Sequence, residues 1–272
     1  MGRVNSPTRI KDITSALDER NHSLFHSLTQ KVVNRILEIE LQRGDSETQV
    51  TRLAEELHRV YGAETLIRIL QAFGKDTFIR DSYNWRNTKR GVLSSLLHAC
   101  YPVSRTTTAI HSKSLASQAD ISHIRLVEAA MFAPQWLELT EEATGWKGLE
   151  SAAYYFHAHT SECFDDKKKA IIARYTPIAI EDLQEGAFDI DWFKEAYKTI
   201  GKERFEVVYN AAKYISLSNT HTRARKFADA VNGKTKAADA KKEIIAKRNK
   251  DLLMSYGLIP LGRKADKELL ER

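Results

Sequence analysis

Cysteine is nearly absent, and the two that occur in 272 residues, Cys100 and Cys163, are too few for a disulfide framework or a four-ligand zinc site. Both read as small apolar core residues. Proline is as sparse, at five residues, and glycine reaches only 12, so little interrupts regular helices. No stretch supplies the roughly 18 to 20 uninterrupted apolar residues that a bilayer-spanning helix needs, and the first twenty residues hold no signal-peptide core. The expectation is a cytoplasmic protein with no membrane contact. A serine nucleophile elbow, protease-type flanks around either cysteine and a phosphate-binding loop are missing too. Gly145 and Gly148 do not follow a strand that could aim a nucleotide-binding helix. No catalytic residue and no cofactor is expected, which leans the reading away from an enzyme.

What is present is the composition of a folded, water-facing chain, 42% apolar and 29% charged. The net charge of +6 is uneven: residues 201–272 hold 17 Lys or Arg against 9 Asp or Glu, while residues 1–200 carry a slight acidic excess. Such asymmetry points to an acidic partner, although solvated helix faces also produce it.

Hydrophobic spacing is helical throughout. Leu24, Leu28, Val32, Ile36 and Ile39 step by three and four, which predicts a helix over 22–42 packed along one broad face. Leu53, Leu57 and Val60 predict the next, and Leu66, Ile69, Leu70 and Phe73 the one after. The closest strand candidate, Ile178 to Ile180, is too short for a sheet. Polar sequence around Trp85 and a Ser/Thr-rich stretch over 105–119 mark boundaries, giving an amino-terminal helical unit, 1–104, and a carboxyl-terminal one, 120–272. Asp120 is the expected cap of the helix that ends at Pro134.

An internal repeat organises these helices. Gly62 is followed by Glu64, Leu66, Ile69, Leu70 and Ala72, and Gly201 at the same offsets by Glu203, Phe205, Val208, Tyr209 and Ala211. Trp136-Leu137 precedes Gly145 as Trp192-Phe193 precedes Gly201. A helix, glycine, helix plan implies hairpins that bury their faces against neighbours. The expected fold is therefore all-α, either an irregular HEAT-like α-solenoid or a multi-helix bundle.

Several segments carry a family likeness: Ala129 to Trp136, Gly145-Trp146-Lys147-Gly148-Leu149, Tyr154 to His159, Gly186 to Phe193, and Ala211 to Ser216. Together they resemble large bacterial proteins with domain of unknown function 4132, also described as MolR-like. That resemblance implies that the chain is a fragment of a longer protein, and it brings no functional residue.

Three functional readings follow. The leading one is a non-catalytic scaffold that binds a protein partner or other domains of its own chain. The second is nucleic-acid contact through residues 223–250, which hold ten Lys or Arg against three acids; the candidates are Arg223, Arg225, Lys226, Lys241, Lys242, Lys247 and Arg248. No pattern of aromatic interleaving accompanies that charge, Phe227 being the one ring in the stretch, and Ile244, Ile245, Leu252 and Leu253 bury one side. The third is an unrecognised enzyme or metal site between His157 and Glu162. His157 and His159 lie about 200° apart on a helix, whereas His159, Glu162 and Cys163 share a face and are the metal-ligand candidates. Asp189 and Asp191 before Trp192 read as a helix cap rather than an acid–base pair.

If the repeat alignment is right, Trp192 is a core residue. Trp192→Ala is then expected to lower unfolding free energy by about 3 to 5 kcal/mol, and an unchanged melting temperature would refute the alignment.

Overall fold

The computed structural model describes residues 19–80, 87–103, 113, 117, 121–160, 164–216 and 221–261, with backbone alone for 19–23, 25 and 26. Trp85, Asp120, Glu162, Cys163 and nearly all of the Ser/Thr-rich stretch lie outside the described residues. The helices are α1 (Glu19–Leu41), α2 (Thr51–Glu55), α3 (Ala63–Phe73), α4 (Lys89–His98), α5 (His123–Phe132), α6 (Leu137–Thr144) and α7 (Leu149–Ala158). They continue as α8 (Asp166–Ile172), α9 (Ile180–Glu185), α10 (Ile190–Ile200), α11 (Lys202–Ala211), α12 (His221–Val231), α13 (Ala237–Lys247) and α14 (Lys250–Leu258). The fold is all-α, as the spacing predicts.

Its centre is α7, in which every residue except Glu150 and Ser151 is buried. A helix that is apolar on all sides must be surrounded, and α6, α8, α9, α10, α11 and α12 all touch it. Repeats of a linear solenoid touch only their sequence neighbours, so these contacts describe a multi-helix bundle. Aromatic rings form the shell. Tyr155 sits 5.1 Å from Phe193 and 6.0 Å from Trp192, and Phe156 sits 5.7 Å from Phe205. Trp192 stacks on Tyr175 and donates its indole N–H to Ser151 Oγ at 3.0 Å. The Tyr155 hydroxyl donates to the Ala224 carbonyl at 2.8 Å, tying α7 to α12. Trp192 is buried as expected, and of the other rings in the repeat and family-like segments Trp136, Trp146, Phe193 and Phe205 are buried and Tyr209 is half-buried.

The first helix differs from expectation. It runs over the predicted span, but Leu24, Leu28 and Val32 are 59%, 52% and 59% exposed, and only its last turns, at Ile36 and Leu37, enter the core. Helical spacing sets which residues share a face; whether that face has a neighbour is a tertiary matter. The Asp120 cap is corrected as well. Ser122 caps α5, its hydroxyl accepting from Arg125 N at 3.2 Å. Asp189 caps α10 as expected, accepting from Trp192 N at 2.9 Å.

A short strand pair appears where none was expected. Val60–Tyr61 (β1) and Cys100–Tyr101 (β2) pair in parallel, Val60 opposite Cys100, while Ile180 begins α9. Strands of two residues have no period for a sequence to display.

The glycine alignment is half right. Gly62 (φ 101°, ψ 151°) and Gly201 (φ 82°, ψ 154°) share a backbone conformation that is essentially glycine-only, and each opens the helix that follows. Gly62, however, follows β1 rather than a helix, and Gly145 is a left-handed cap closing α6.

Across the 105–119 stretch, one hydrophobic core extends from Ile36 to Ala228. Trp136 donates its indole N–H to the Cys100 carbonyl at 2.8 Å, and Arg125 donates to the Asp76 carbonyl at 2.6 Å. Within the amino-terminal part, a buried ion pair fastens the end of α1. Arg43 and Glu40, with side chains 1% and 0% exposed, meet at 3.1 Å; Arg43 also donates to the Asn87 carbonyl at 2.7 Å, and Glu40 accepts from Thr51 Oγ1 at 2.9 Å. Breaking such a pair strands a buried charge, so Arg43→Met is expected to cost about 3 to 5 kcal/mol, most of it recovered in Glu40→Leu/Arg43→Met. Urea unfolding of both variants checks this, and equal losses in the two would count against it.

Candidate functional site

Two of the sequence candidates for metal binding, Glu162 and Cys163, lie outside the described residues, and His157 and His159 are wholly buried. Their helical separation sends them to opposite sides of α7. His157 packs 5.8 Å from the Tyr154 ring and lies against the backbone at Met131, where neither ring nitrogen makes a hydrogen bond of ordinary geometry. His159 is enclosed by Tyr155, Phe188 and Phe227, with Nδ1 donating to the Tyr155 carbonyl at 2.8 Å. Among the described residues, no three His, Cys, Asp or Glu side chains come together as a metal cage. Cys100 is a free, buried thiol, which burial pushes up to about 12, too high for a nucleophile at neutral pH.

The basic candidates divide. Arg223 pairs with Asp251 at 2.9 Å and donates to the Gln184 carbonyl, and Arg225 lies 4.0 Å over the Tyr209 ring; both hold α12 in place. Lys226 is half-buried, whereas Lys241, Lys242, Lys247 and Arg248 are exposed on α13 and the turn after it. Lys247 meets Glu243 at 2.7 Å and Lys250 meets Glu185 at 3.2 Å, both at the surface.

That turn shapes a surface. Arg248 closes α13 in the left-handed region (φ 47°, ψ 41°), a conformation that costs a non-glycine residue roughly 1 to 2 kcal/mol. Asn249 then caps α14, its side chain accepting from Leu252 N at 3.2 Å. The inner faces of the hairpin join α12 through a second small core of Ala230, Ala240, Tyr256 and Ile259. Its outer face holds a depression of about 610 Å³ lined by Ile244, Ile245, Arg248, Asn249, Lys250 and Leu253. Ile245 is 72% exposed and Leu253 57%. Residues 241–250 carry five Lys or Arg and one acid.

A second depression, of about 340 Å³, lies between α2, α4 and Phe132. Its polar groups are largely committed to structure: Ser94 Oγ accepts from Ile79 N, Glu55 from Asn87 N, and Arg80 donates to the carbonyls of Tyr214 and Phe132. It reads as a bonded seam between elements.

A family model described as a family of unknown function, DUF5724, matches residues 1–272. The chain belongs to DUF5724. The resemblance to domain of unknown function 4132 is thereby corrected, and the expectation of a fragment from that family goes with it. The motifs that carried it supply rings to this core, Tyr154 to His159 being buried throughout and Gly186 to Phe193 contributing Phe188, Trp192 and Phe193. Packing demands such aromatic patterns of many all-α chains, so they discriminate families poorly. No curated protein and no solved structure matches the DUF5724 chain.

Sequence reasoning missed Glu141. From α6 its carboxylate accepts from Gly148 N at 3.0 Å and Glu150 N at 2.8 Å, capping α7 across the hairpin. The usual cap signal is a residue at the helix start; glycine stands there, and the supplier sits seven residues upstream. The groove was missed because the sequence assigned Ile244, Ile245, Leu252 and Leu253 to one buried side; Leu252 is buried and Ile244 packs against the second core, whereas Ile245 and Leu253 are exposed.

The buried histidines make DUF5724 stability sensitive to acid. Burial holds His157 well below the ordinary imidazole range and lowers His159 to about 4. The unfolded chain takes up these protons near pH 6.5 and the folded chain refuses them. Stability is therefore full above about pH 7 and falls as pH drops from about 6.5 towards 4, by about 3 kcal/mol for His159 over that whole range. Denaturant midpoints between pH 7 and 5 should fall less steeply for His159→Gln, and an identical slope would show that other groups cause the loss.

Proposed function

We propose that this protein is a non-catalytic interaction scaffold whose α13–α14 hairpin presents a binding face to a protein partner or to other domains of its own chain. The observation that carries the reading is the pairing of Ile245 and Leu253, both more than half exposed, in a depression on an otherwise well-packed bundle. Single exposed apolar residues are ordinary; two neighbouring ones in a hollow offer a seat for a partner's apolar side chain, which supports the reading. The exposed stripe of Leu24, Leu28 and Val32 on α1 adds a second apolar face. The left-handed Arg248 supports the same reading, because strain of that kind is retained where it places a side chain usefully. We place the protein in the cytoplasm, where a free thiol such as Cys100 stays reduced. Among the described residues no helix is long and apolar enough to cross a membrane.

The second reading, nucleic-acid contact, draws on the exposed Lys241, Lys242, Lys247 and Arg248. It loses Arg223 and Arg225, which are occupied within the bundle.

A photo-crosslinking residue at position 245, with position 52 as an exposed control, separates these readings. The scaffold reading expects discrete protein adducts at 245 that disappear with Leu253→Asp. No adduct at 245 would remove it. Retention on duplex DNA that weakens with salt and is lost in Lys241→Glu/Lys242→Glu/Lys247→Glu would put the nucleic-acid reading in its place.

A further inference from the structure

We infer that the α13–α14 groove takes an acidic amphipathic α-helix, an inference that rests on the docking surface proposed above and names its partner class. The floor and the rim set the chemistry. Ile244, Ile245 and Leu253 offer an aliphatic floor, and Arg248 and Lys250 stand at the lining with Lys247 beside them. A ligand that fills this site must bring apolar side chains to the hollow and carboxylates to its edge. An amphipathic helix does both, with anchors at i, i+3 or i+4, and i+7 entering the groove and acids flanking them.

The cations are held lightly. Lys247 meets Glu243, and Lys250 meets Glu185, at solvent-exposed positions where ion pairs contribute little, so a partner's carboxylates can replace them at small cost.

Other macromolecules fit less well. Single-stranded nucleic acid is held by stacking on aromatic rings, and none lines this depression. A lipid surface is met by a projecting apolar face with aromatic anchors, whereas these apolar residues line a hollow. Charge complementarity with an aliphatic floor favours the acidic helix.

The groove offers variants that leave the fold intact. Arg248→Gly relieves the left-handed strain while removing a rim charge, and Ile245→Asp and Leu253→Asp alter exposed positions. The probe is a fluorescent, lactam-stapled peptide helix with Leu at the i, i+3, i+4 and i+7 positions and Glu at most others, titrated into the full chain and followed by anisotropy. Saturable one-to-one binding is expected. It should weaken about tenfold or more in Leu253→Asp, fall in Arg248→Gly while the melting temperature holds or rises, and diminish with salt.

Equal binding of the Lys-for-Glu peptide, or of a scrambled Glu/Leu peptide, would overturn the inference. So would binding of phosphatidylserine vesicles or duplex DNA that depends on residues 245 and 253 while the Glu helix fails to bind. If position 245 crosslinks to protein in cells but the Glu helix is not bound, the docking surface stands and the acidic-helix assignment falls. If neither occurs, both fall.

Discussion

The enclosure of α7 is the constraint on which the remainder of this structure depends. A ten-residue helix with buried side chains on every side has no amphipathic stripe to choose a single neighbour, so it demands helices all around it. Each neighbour needs only one apolar face, which is why α10 and α11 read as ordinary amphipathic helices. The start of α7 is only partly buried, but its first backbone N–H groups have no partner within the helix, and leaving them unpaired carries a cost. Glu141 answers that cost from the preceding helix, so the hairpin and the central helix are mutually dependent.

The same enclosure explains the histidines. A histidine pair on a short helix beside acidic sequence looks like the start of a metal site, but in a helix covered on all sides the rings serve as flat packing elements. His159 keeps one hydrogen bond to its own helix and presents its faces to aromatic rings. Neutrality is the state that such surroundings permit.

Away from this centre the packing thins, and it is there that aliphatic side chains such as Ile245 and Leu253 become exposed. The α13–α14 hairpin is attached by a core of small extent together with the partly buried Arg223–Asp251 pair. A peripheral hairpin can expose aliphatic side chains at little expense to the main core. The cations thus separate by depth, with Arg223 and Arg225 turned inward to contacts within the fold and Lys242, Lys247 and Arg248 outward.

The sequence by itself determined that the chain is helical, where helices such as α1, α3 and α5 lie, that Trp192 is buried, and that Gly62 and Gly201 occupy equivalent positions. These follow from period, size and backbone freedom, all local properties. The same spacing reads Leu53, Leu57 and Val60 as one helix, whereas α2 ends at Glu55 and Val60 belongs to β1. Only the tertiary structure decided that Leu24, Leu28 and Val32 face solvent, that Glu141 caps a helix it does not belong to, that two-residue strands pair, and that Ile245 and Leu253 line a groove. Each depends on what lies opposite a residue in space. A helical pattern states which side chains share a face, and the neighbour across from that face is supplied by chain far away in sequence.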